Sequence, residues 1–221
     1  MRALRFRFAV GVAALALANW AAVGQNTGGE MTLAELRAYM DVLHIKEADE
    51  QGVRAQMKTQ VPEWFPANVK DAIIEQMLSV DFAALEYPFV KSCGSSADIQ
   101  ALMALFSTPE GQAYARKATG TMVAKEAAGT DALEAHEQME KEDRGLPPAA
   151  LNRLTPAQRE RVLRVMKAGV VACLSNGFKT GSQAVSEART SAVQQVVHEH
   201  GAELGAAKRK YDESHTAAPP Q

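Results

Sequence analysis

DIQALMALFSTPEGQAYARK, residues 98–117, reads as the end of one helix and the start of the next. Ile99, Leu102, Met103 and Phe106 recur at i, i+3, i+4 and i+7, the spacing that lines one face of a helix with apolar side chains. Ser107-Thr108-Pro109-Glu110 then packs a stop and a start into four residues. Proline is tolerated in a first turn, and Ser107 or Thr108 can accept the orphan amide bonds there. Gly111 lets another backbone or a bulky side chain approach that first turn closely. Tyr114, Ala118 and Met122 carry the stripe onward.

Upstream the same rhythm holds. Thr32 and Glu35 form a capping box, followed by Leu36, Met40 and Leu43, then Val53, Met57 and Val61. This predicts one helix or a broken pair to about Gln60. Pro62 and Pro66 bracket Trp64-Phe65 as a corner against the core. Val69, Ile73, Met77 and Val80 resume the stripe, and Phe82, Leu85 and Phe89 extend it inward, with Pro88 kinking or dividing the run. Ser95 or Ser96 caps the segment quoted above.

Downstream, Gly129 leads into a charged stretch, 131–143, expected as an exposed helix or arm. Thr155-Pro156-Ala157-Gln158 repeats the capped start. Val162, Met166, Val170 and Cys173, with Leu163 and Leu174, give a broad core face that Asn176-Gly177 is expected to stop. Gly181 or Ser182 opens a last helix using Val185, Ala192, Val193, Val196 and Val197. Nothing alternates with a period of two. The expectation is an all-α, single-domain bundle of about six or seven helices over residues 32–205, between a flexible start (25–31) and a disordered tail (206–221).

The first residues decide the destination. Arg2, Arg5 and Arg7 precede a short apolar run, Phe8–Ala18, and small residues lead to Ala22-Val23-Gly24. That is the order of a secretory leader, too short for the roughly 20 residues of a spanning helix. Residues 1–24 are expected to be removed, with Ala18 as the other cleavage candidate, placing the domain in the periplasm or outside the cell. Their loss takes three arginines and no acid, leaving 21 basic against 26 acidic residues and a charge near −5. Such a balance gives no electrostatic footprint for nucleic acid.

Cys93 and Cys173 are the two cysteines. In an oxidising compartment they are a disulfide pair, or else two buried thiols on facing helices. The residues offer no catalytic constellation, cofactor motif or metal set. His198 and His200 point about 200° apart on a helix, unlike i, i+4 metal ligands, and His44, His136 and His215 stand alone. His136 lies in an acidic run read as solvated charge. Met40, Met57, Met77, Met103, Met122 and Met166 fall on expected inward faces, where methionine fills irregular cores or lines adaptable grooves.

The 98–117 segment resembles the bacterial exported family termed domain of unknown function 2059, over roughly residues 75–130. The family shows an acidic helix start, a Leu-rich turn, an aromatic pair and then Ser/Thr-Pro-x-Gly-Gln/Lys. Leu102, Leu105 and Phe106 match the apolar part, and Thr108, Pro109, Gly111 and Gln112 the junction; Ser107 departs from the aromatic usual there. The resemblance implies a helical periplasmic domain and carries no catalytic residue. The expected role is non-enzymatic binding of an envelope protein or an apolar ligand. The alternatives are a hydrolase-like enzyme assembled from distant residues, or a structural or stress accessory protein.

Overall fold

A computed structural model describes residues 29–127 and 148–216. Residues 1–24, where a leader is expected, residues 25–28, the charged stretch 131–143 with His136, and residues 217–221 lie outside it. The chain is all-α. In order, the helices are α1 (Leu33–Val42), α2 (Ile45–Gln60), α3 (Ala67–Leu78), α4 (Phe82–Val90), α5 (Ser96–Phe106), α6 (Pro109–Ala127), α7 (Pro148–Arg153), α8 (Pro156–Lys167), α9 (Val170–Glu199) and α10 (Gly201–Thr216). Among the described residues there is no strand, only an isolated antiparallel bridge between Glu30 and Ser95. No described helix is long and apolar enough to cross a membrane.

Local sequence chemistry sets most boundaries. Thr32 with Glu35, Ser95 with Asp98 and Thr155 with Gln158 each form a reciprocal capping box at the start of α1, α5 and α8. The first two are joined, because Ser96 Oγ donates to Glu35 Oε2 at 2.8 Å. The Thr32 amide, donating to the same carboxylate, holds Glu35 below its usual pKa. Residues 29–31, the described part of the expected flexible start, are held against the segment after α4. Met31 is fully buried and its amide donates to Gly94 O, while Ser96 N donates to Gly29 O. The large apolar side chain at 31 anchors an otherwise polar run.

The described residues hold ten helices where six or seven were expected, and several boundaries differ. His44 adopts the left-handed conformation (φ 58°) and divides α1 from α2. Gly169 (φ 74°) divides α8 from α9, so the break falls there and not at Asn176-Gly177. The chain then runs unbroken through Gly181 and Ser182, where a new start had been expected. Finally, α10 continues to Thr216, well past the expected limit at Gly205. Nine of its 16 residues are strong helix formers; Leu204 is buried, Lys208 pairs with Asp212, and Tyr211 stacks on His215 at 3.9 Å.

Two apolar cores result. The larger joins α1, α4, α5, α6, α7, α8 and the first half of α9, around Leu36, Ile99, Leu102, Phe106, Val162 and Leu174. The smaller joins the second half of α2 to α3, the end of α9 and α10, around Val53, Val69, Ile73, Met77, Val193 and Leu204. Helix α9, about 45 Å long at 1.5 Å per residue, serves both. Cys93 and Cys173 are bonded, with Cα atoms 5.4 Å apart, tying the segment after α4 to the first turn of α9.

Candidate functional site

The Ser107–Gly111 junction is a structural corner. Thr108 Oγ1 accepts from the Gly111 amide at 3.0 Å and donates to Leu105 O at 2.7 Å, capping α6 onto the end of α5. A Cβ on Gly111 would lie 2.3 Å from Leu105 O and 2.8 Å from Phe106 Cα, so the close approach requires glycine. Phe106, buried, packs its ring 6.4 Å from that of Tyr39.

Gln112 completes the corner. Its Nε2 donates to Val42 O (2.9 Å) and Phe106 O (2.8 Å), binding the ends of α1 and α5. That orientation turns Oε1 toward His44 Nε2, 2.6 Å away, so this ring nitrogen must carry a proton. A donating nitrogen has no lone pair for the Arg116 Nε–H at 3.3 Å, which is therefore a close neighbour and not a second hydrogen bond. The left-handed backbone at His44 is what points the imidazole at Gln112. Gln112→Ala is expected to lose about 2–3 kcal/mol, roughly 1 kcal/mol for each of three half-buried bonds. Urea unfolding of the variant measures it.

A second constellation was hidden in the sequence as ordinary charge. Arg189 of α9 and Asp49 of α2 form an ion pair at 2.6 Å with side chains 3% and 8% exposed, and Arg189 Nε donates to Met77 O of α3. Glu86 of α4 is wholly buried beside them, and neither of its carboxylate oxygens has a hydrogen-bond partner among the described residues. Burial, then the negative charge of Asp49, push its pKa well above the usual carboxylate value, opposed by Arg189. The signal was present as Ile45-Asp49-Val53 and Val185-Arg189-Val193, where a charge stands at the centre of an i, i+4, i+8 apolar row. These rows straddle the two cores, so the charges form the layer between them.

Helix α4 also turns a different face inward from the one expected. Ala83, Glu86 and Val90 are buried, and Val90 and Glu86 meet α9 at Gly177 and Gly181. A Cβ on Gly177 would lie 2.6 Å from Phe89 O and 2.6 Å from Val90 Cγ1. On Gly181 it would lie 2.9 Å from Glu86 Cγ. The small face wins because two glycines let the helix backbones approach. Phe82, Leu85 and Phe89 are left on the outer side. Phe82 and Leu85 are half-buried against the core, Phe89 is 42% exposed, and Pro88 beside it is exposed.

The other sequence candidates are dispersed. Met40, Met57 and Met77 are buried in the cores, and Met103 and Met166 pack against one of them. Phe65 is buried, and Trp64 is half-buried with Lys208 Nζ over its ring at 5.9 Å. Leu163, expected in the core face of α8, is 43% exposed, because Val162 and Val165 take the inward positions. His200 pairs with Glu203, His215 stacks on Tyr211, and His198 is exposed. Among the described residues no three His, Cys, Asp or Glu side chains converge on a metal-sized site.

No protein-family model matches the chain, and no curated protein or solved structure is significantly similar to it.

Proposed function

We propose that this is an exported, periplasmic domain that works by binding another envelope component, a protein or an apolar ligand, and not by catalysis. The observation that carries the reading is the outer row of α4, Phe82, Leu85 and Phe89 at i, i+3 and i+7 with Pro88 beside it. Single exposed apolar residues are common on protein surfaces. This row differs in standing on a helix held firmly from behind, by two glycine contacts and by the disulfide three residues beyond its end. A rigid apolar strip presents area to a partner without an ordering cost. The leader pattern and the cysteine bond, which suits an oxidising compartment, support export. Membership of the exported family resembled by residues 98–117 belongs to the same proposal.

A photo-reactive phenylalanine at position 89, with the same group at exposed Arg161 of α8 as reference, tests this in envelope extract. Mass spectrometry of the adducts separates a protein partner from a lipid. Labelling at 89 and not at 161 is expected. Leu85→Asp, in a chain shown by circular dichroism to keep its helices, should lower it severalfold, since half-buried Leu85 has only part of its surface left to bury. Equal labelling at both positions would overturn the proposal.

A further inference from the structure

We infer that Glu86 is a proton-held latch between α4 and α9: neutral while the helices are seated on each other, and forcing them apart when it ionises. Three observations of the fold lead there. The carboxyl group is wholly buried and both oxygens are orphaned. Its stem lies on Gly181, so tightly that a Cβ there would stand 2.9–3.2 Å from Glu86 Cγ, Cα and Cβ. Arg189, the cation within reach among the described residues, is already engaged by Asp49 and by Met77 O. A charge at position 86 would therefore meet neither solvent nor a free partner, and an isolated buried carboxylate is far costlier than its neutral acid.

The groups around it fix the sign. From α2 comes Asp49, which repels a second negative charge, and from α9 comes Arg189, which attracts it; Lys179 and Glu187 of α9 are exposed. From α3 comes only a backbone carbonyl, that of Met77. From α1, Tyr39 shares the core of α4, its phenol kept neutral by burial, and Arg37 pairs at the surface with Asp81. On α4 itself Tyr87 donates to Met31 O.

A folded-state pKa above the unfolded value of 4.5 means the folded chain holds a proton that the unfolded chain releases. The stabilisation is complete below the unfolded value and is lost as pH rises through the folded one. Across that window the folding constant falls about tenfold per pH unit.

The test is urea unfolding of the mature chain from about pH 4 to 9, with Glu86→Gln as the isosteric neutral reference. The ratio of wild-type to variant folding constants should fall about tenfold per pH unit above the unfolded value and then level off only where Glu86 ionises. A ratio constant with pH would overturn the latch. Should Glu86→Gln not fold, carboxyl-carbon NMR of the wild-type chain decides. A Glu86 resonance still at its protonated position near neutral pH supports the inference, and one titrating at an ordinary carboxylate pH overturns it.

Discussion

Gly177→Ala is expected to destabilise the domain by about 3 kcal/mol or more, although helix propensity alone would favour it by roughly 1 kcal/mol. Gly177 sits inside a 30-residue helix, where alanine is ordinarily the better residue. The added methyl, however, would arrive 2.6 Å from the Phe89 carbonyl oxygen, a backbone atom that cannot turn aside, and 2.6 Å from Val90 Cγ1. Relief requires α4 and α9 to separate along their whole seam. Gly120 provides the control: it is exposed in α6 with nothing within 4 Å of a built Cβ. Gly120→Ala should stabilise by about 0.5–1 kcal/mol. Opposite shifts in the urea midpoint for the same chemical change would locate the effect in the seam. A midpoint for Gly177→Ala at or above wild type would show that the helices are not in contact there.

Opening the Cys93–Cys173 bond is expected to have the larger effect. The cysteines close a loop of 80 residues, which by loop-closure entropy alone is worth about 4–5 kcal/mol. Small domains have a net stability of about 5–15 kcal/mol, so this is a large share of the whole. Substituting either cysteine with serine should bring the urea midpoint down sharply, with a further small loss at Cys93, which is 93% buried and would bring in a hydroxyl. Reductant should reproduce the shift in the wild-type chain and leave a Cys93→Ser, Cys173→Ser chain unchanged. If reductant moved the double variant equally, the loss would lie elsewhere.

How far the sequence speaks depends on the range of the interaction. Capping boxes at Thr32, Ser95 and Thr155 are decided within four residues, and each is visible in the chain as written. The stripe from Ile99 to Phe106 is equally local, and its members lie in the core or against it. Gly111 was read as a close approach and is one, but the glycines of α9 were misread. Gly177 and Gly181 look like a stop and a start, yet they are smooth patches on one helix, and only the neighbouring α4 reveals the reason. Gly169, with a positive φ, is the real break. The face of α4 was misjudged for the same cause: Phe82, Leu85 and Phe89 are greasier than Ala83, Glu86 and Val90, but bulk excludes them from a seam built on close approach. Charges misled in turn. Asp49 and Arg189 resemble solvated side chains until the rows flanking them are known to face two different cores, and Glu86 does so until α4 is known to lie on Gly181. Phe82, Leu85 and Phe89 were legible only as an apolar row, and the 42% exposure of Phe89 was not.

The long helix α9 runs through both cores, but the disulfide braces only the larger one. The α3–α10 end rests on fewer buried groups and has no covalent tie among its described residues. Heat or denaturant should therefore strip that end first, as a cooperative unit of its own, leaving a stapled remnant that keeps α4 in place. A chain so divided can lose the packing of one end while the other keeps its own, much as a split handle leaves the head of a tool bound.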